Sequence, residues 1–85
     1  MLTLNNEEFN LLCLLKHRLF TPFEVIVNHS GSFEKASIVV DVLIERNMVE
    51  IIYGRVTMTA VGKEATKKEQ IKRKATIFMI LEVAE

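Results

Sequence analysis

Cysteine, histidine and net charge are the scarce commodities of this chain. A single cysteine leaves no disulfide framework and no cysteine-rich zinc site. Cys13 sits in Leu11-Leu12-Cys13-Leu14-Leu15 and is expected to be a buried small hydrophobe. The two histidines, His17 and His29, have no second ligand type at metal-binding spacing on a shared face. There is no glycine-rich phosphate loop, no nucleophile elbow and no paired-carboxylate motif. An enzyme, a cofactor and a metal centre are therefore not expected. A net charge of zero argues against a strong non-specific nucleic-acid binder, which would show a basic excess. No basic stretch followed by an apolar run and a cleavage site opens the chain. The apolar run Ile77–Leu81 is far too short to cross a bilayer. The expectation is a cytoplasmic protein with no membrane partner. No repeat, linker or low-complexity segment interrupts it.

What is present is apolar residues and an uneven charge distribution. With 49% hydrophobic residues in 85 positions, one small core must hide a great deal, which favours self-association. Residues 1–42 carry Lys16, Arg18 and Lys35 against Glu7, Glu8, Glu24, Glu34 and Asp41, a balance of −2 that leaves +2 for residues 43–85. Much of that excess lies between Lys63 and Lys74, where Lys63, Lys67, Lys68, Lys72, Arg73 and Lys74 meet only Glu64 and Glu69.

Local chemistry divides the chain into elements. Asn5 or Asn6 caps a first helix with Glu7 and Glu8 in its positive first turn. Phe9, Leu12, Cys13 and Lys16 follow helical spacing, and the helix is expected to end near His17–Phe20. Thr21-Pro22 reads as the start of a second helix, threonine as cap and proline at the first helical position. Asn28-His29-Ser30-Gly31 reads as a turn. Ser32 caps a third helix that runs to about Arg46, where Asn47 can take the left-handed terminating geometry. Ala36, Val39, Val40 and Leu43 form its core stripe. Val49–Tyr53 and Arg55–Met58 are β-rich runs around Gly54 and form a hairpin with a very short tip. A last helix begins near Ala60–Gly62 and runs toward Val83. The expected fold is mostly α with a small β-hairpin, in the order helix-helix-helix-hairpin-helix: a single winged helix-turn-helix domain over 1–85, with 63–85 as a dimerisation or packing helix.

Two segments carry a resemblance to winged-helix transcription regulators of the MarR and PadR types. Leu43-Ile44-Glu45-Arg46-Asn47-Met48-Val49-Glu50 resembles the end of their recognition helix, with Asn47 where a glycine is usual. Met58-Thr59-Ala60-Val61-Gly62-Lys63-Glu64 resembles their wing exit. Thr21–Val25 through Ala60–Ala65 also resembles the N-terminal domain of the phage middle-promoter activator family, winged-helix domains that engage a host sigma factor. The resemblance covers roughly half the chain. It implies transcription control, double-stranded DNA as ligand and a homodimer paired through the C-terminal helix.

If the third helix enters a major groove, Ser32, Lys35 and Ser37 at its amino end meet base edges or phosphates. Arg55 sits at the wing, and Lys63, Lys67 and Lys68 can reach phosphates. Against this, Ile38, Val42 and Ile44 fall outside the core stripe, and isoleucine or valine cannot hydrogen-bond a base. Glu34 and Asp41 would be repelled by phosphate. Ile38 and Val42 either pack beneath another element or make a protein-binding surface for a partner such as the transcription machinery. Ile77, Phe78 and Leu81 belong to apolar strips on the last helix that either fold back over the first helix or pair with a second copy. Where Ile38 and Val42 point separates a DNA reader from an interaction module.

Overall fold

The computed structural model describes the backbone of residues 4–84 and the side chains of residues 4–75. In chain order the elements are α1 (Asn6–Lys16), β1 (Thr21–Pro22), α2 (Phe23–Ser30), α3 (Phe33–Glu45), β2 (Val49–Ile52), β3 (Arg55–Met58) and α4 (Ala60–Ala84). Among the described residues there are four helices and a small antiparallel sheet of strand order β1-β3-β2.

Most helix ends follow from their caps. Asn5 and Glu8 form a reciprocal box at the start of α1: the Glu8 N–H donates to Asn5 Oδ1 at 2.8 Å and the Asn5 N–H donates to Glu8 Oε1 at 3.0 Å. Glu8 is only 5% exposed, and its carboxylate also accepts from Arg46 Nη1 at 3.3 Å. The start of α1 is thereby tied to the end of α3. Ser32 Oγ accepts the Lys35 N–H at 3.2 Å and opens α3. At its far end Asn47 takes φ 60 and the Met48 N–H returns to the Leu43 carbonyl at 2.9 Å.

Two expected boundaries are corrected. Thr21 and Pro22 do not open a helix with threonine as cap. They form β1, in register with Val56 and Arg55 of β3, and Pro22 itself is the residue before α2. The Thr21 side chain is fully buried with no hydrogen-bond partner for its hydroxyl, so it faces the core. Proline is tolerated because β1 is an edge strand. The hairpin is accordingly part of a three-stranded sheet. The second correction concerns Asn28, His29 and Ser30, which are helical. Only Gly31, at φ 96, makes the turn, its N–H donating to the Val27 carbonyl at 2.9 Å.

The core unites Leu11, Leu12 and Leu15 of α1, Ile26 of α2, Ala36, Val39, Val40 and Leu43 of α3, and Met48, Val49, Val56 and Met58 of the hairpin. The expected stripe of α3 is thus the buried one. Cys13 is half-buried rather than sealed in. The hairpin tip is the pair Tyr53-Gly54, with φ 51 and φ 74, the two positive values a two-residue type I′ turn demands.

The junction into α4 has its own logic. Thr59 donates its hydroxyl to the Asn47 carbonyl at 2.5 Å and accepts the Gly62 N–H at 3.1 Å, while its N–H goes to the Met48 carbonyl at 2.9 Å. Gly62 lies flat on that junction. A Cβ there would collide with the Met48 carbonyl oxygen and stand 2.7 Å from Met58 Cγ. Further along, Arg73 spans α4 and α1: its guanidinium lies 4.2 Å over the Phe9 ring, and its nitrogens reach Glu69 at 3.3 Å and Asn6 at 3.0 Å. Lys16 adds a bond to Gln70 at 3.2 Å.

Candidate interaction surface

With Ala36, Val39, Val40 and Leu43 buried, α3 turns Glu34, Ile38, Asp41 and Glu45 outward, at successive helical spacings. Ile38 is 64% exposed. Val42 and Ile44 are half-buried, and Ile44 packs against the core. The centre of the outer face is therefore one isoleucine flanked by three carboxylates, none of them in an ion pair among the described residues. Glu45 was not among the sequence candidates, although the spacing 34, 38, 41, 45 carries the signal.

The proposed DNA contacts are distributed over separate elements. Ser32 and Lys35 lie together at the amino end of α3, where the Ser32 hydroxyl oxygen already accepts the Lys35 N–H. Lys35 is exposed and Ser37 half-buried, on opposite flanks of the acidic stripe. Arg55 is exposed on β3, aligned across the sheet with Ile52 and Pro22. Lys63 and Lys67 share one side of α4; Lys68 lies on the other, 3.8 Å from Glu64. This exposed pair contributes little to stability but cancels local charge. The helix α3 packs chiefly on α2, α1 and β2, whereas α4 packs on α1 and β3. Ile77, Phe78 and Leu81 lie outside the residues whose side chains are described.

Other exposed apolar side chains lie on several elements, including Leu19 and Phe20 between α1 and β1. Phe33 meets Phe23 edge-on at 5.5 Å and leaves its outer side in solvent. Ile51, Ile52 and Tyr53 stand exposed toward the hairpin tip. A cleft of about 100 Å³ lies among Glu7, Asn10, His29, Ser30, Lys35 and Val39. That is small beside the roughly 300–1,000 Å³ of ordinary ligand pockets. Among the described residues no group of three or more His, Cys, Asp or Glu could hold a metal ion, and no helix is long and apolar enough to cross a membrane.

No protein-family model matches this chain, and neither a curated protein nor a solved structure matches it.

Proposed function

We propose that the chain is a winged helix-turn-helix domain acting in transcription control, and that its third helix docks a protein instead of reading base edges. The winged-helix part is supported by the order α1-β1-α2-α3-β2-β3-α4 and the strand order β1-β3-β2, with α2 and α3 as the helix-turn-helix and β2–β3 as the wing. The observation that carries the functional part is the outer face of α3: Ile38 exposed among Glu34, Asp41 and Glu45. Duplex DNA presents about one negative charge per 1.7 Å of axis, so three unpaired carboxylates on a groove-facing helix oppose binding. Isoleucine offers a base edge no hydrogen bond. The same face suits a protein surface with an apolar side chain ringed by lysine or arginine.

A second reading, a dimeric DNA-binding regulator using Ser32, Lys35, Ser37, Arg55, Lys63, Lys67 and Lys68, draws support from the exposure of Lys35 and Arg55. Titration of random-sequence duplex DNA at several salt concentrations separates the two. Protein docking predicts no binding that depends on Lys35 and Arg55. Affinity that falls steeply with salt and disappears on joint Lys35→Ala and Arg55→Ala substitution overturns it in favour of the DNA reader.

A further inference from the structure

The exposed stripe of α3 has a counterpart of opposite charge on α4. Gly62, Thr66, Glu69 and Arg73 form the inner side of α4, which leaves Lys63, Lys67, Ile71 and Lys74 on one outer stripe. Ile71 is 61% exposed, nearly the same as Ile38. Glu64, on the flank of this stripe, is already engaged by Lys68 at 3.8 Å. Among the described residues no ion pair engages Lys63, Lys67 or Lys74, just as none engages Glu34, Asp41 or Glu45.

Both stripes run over eleven residue steps, from Glu34 to Glu45 and from Lys63 to Lys74, which is about 16 Å of helix each. Laid antiparallel, they match in order: Glu34 with Lys74, Asp41 with Lys67 and Glu45 with Lys63 fall directly opposite, and Ile71 stands one residue, about 1.5 Å of helix, from the position opposite Ile38. Laid parallel, each isoleucine meets a charge instead. Only the antiparallel arrangement puts apolar on apolar and acid on base throughout. Within one chain the stripes sit on helices whose main packing partners differ, so they are left open to another molecule.

We infer that the two faces are halves of one contact between two copies of this chain, α3 of one copy lying antiparallel along α4 of the other. The inference rests on the reading of α3 as a protein-docking helix and names its partner. Burying Ile38 against Ile71 supplies the apolar centre, and the three acid–lysine pairs around it fix direction and register. It also accounts for a net charge of zero that is divided into an acidic first half and a basic second half: copies of such a chain attract one another. Where the same two copies exchange both contacts, the assembly closes as a two-fold pair.

The test is a concentration series in analytical ultracentrifugation on the full chain and its charge-reversed variants. The wild type should associate, and should do so less at high salt, because exposed charges are screened within about 8 Å at physiological ionic strength. One variant carries Glu34→Lys with Asp41→Lys, the other Lys67→Glu with Lys74→Glu. All four sites are solvent-exposed, and circular dichroism verifies that each variant is folded. Each alone should self-associate at least about tenfold more weakly, since like charges then face each other. An equimolar mixture of the two should recover the wild-type strength, as should one chain bearing all four reversals. Ile38→Asp should lose association with no such rescue.

Association that ignores both reversals overturns the inference, and so does a mixture no stronger than its components. A wild type that is monomeric throughout and binds no duplex removes the second copy as partner but leaves the docking role of α3 standing. Salt-steep duplex binding that vanishes with Lys35→Ala and Arg55→Ala removes that role itself.

Discussion

Replacing Gly62 by alanine adds one carbon atom at the one glycine with no room for it. The new Cβ meets the Met48 carbonyl oxygen, stands 2.7 Å from Met58 Cγ and 3.0 Å from the Met48 carbonyl carbon. Met58 is a flexible side chain and can withdraw. The Met48 carbonyl is backbone, fixed by the Thr59 N–H at 2.9 Å, and Met48 itself is fully buried. Relief therefore requires α4 to move away from the end of α3. Overpacking of this kind costs about 1–3 kcal/mol, with the upper end appropriate where the obstacle is backbone. Alanine's helix propensity returns at most about 1 kcal/mol. The net expectation is a loss of roughly 2 kcal/mol, which in a domain of this size lowers Tm by about 8–16 °C. Thermal melts followed by far-ultraviolet circular dichroism measure it directly. A Tm equal to or above wild type would show that the close approach of α4 to Met48 is not a constraint, and the account of the junction would fail.

Three further outcomes are expected. Thr59→Ala removes both the bond to the Asn47 carbonyl and the acceptor for the Gly62 N–H. It should cost about 1–2 kcal/mol in urea unfolding, with Thr59→Ser restoring most of it. Tyr53 is 100% exposed and held at φ 51. Tyr53→Gly should therefore stabilise the hairpin by up to about 1 kcal/mol, and a lower urea midpoint would contradict the strain assigned to this turn. The pairing of two copies through Ile77, Phe78 and Leu81 expected from the sequence, a contact separate from that of α3 with α4, predicts that Phe78→Asp with Leu81→Asp lowers the mass seen by light scattering. An unchanged mass rules those residues out of the contact.

The parts of the fold legible in the sequence were those written in local chemistry. Asn5, Ser32 and Asn47 act through bonds within a few residues, so their identity announces a cap or a stop. The stripe Ala36, Val39, Val40 and Leu43 has a period that only a helix with one buried side explains. Thr21-Pro22 was misread because threonine followed by proline satisfies the rules for a helix start equally well. Its actual pairing depends on Val56 and Arg55, more than thirty residues away. Asn28 to Ser30 were misread because turn-prone residues are also tolerated in a last helical turn. Ile38 could be seen to lie outside the core stripe. Whether another element covered it is a tertiary fact, fixed only when α4 lies along α1 and leaves α3 open. The matched stripes of α3 and α4 escape a single pass along the chain because neither means much until the two are laid side by side.

The junction at Met48 has an evolutionary consequence. Met48, just beyond α3, returns its N–H to the Leu43 carbonyl, and the chain is fastened to that same residue again at Thr59, with Gly62 pressed on the fastening. The strands between them are held by their own pairing and by β1, so the tip Tyr53-Gly54 is a loop whose two ends are locked independently of its length. Doubling such a loop costs only about 0.6 kcal/mol of closure entropy. Residues can be inserted at Tyr53-Gly54, or the tip exchanged for another sequence, without shifting α4 or the face of α3. The exposed tip of the hairpin is a cassette, free to change what it touches, while Val49, Val56 and Met58 hold its base in the core.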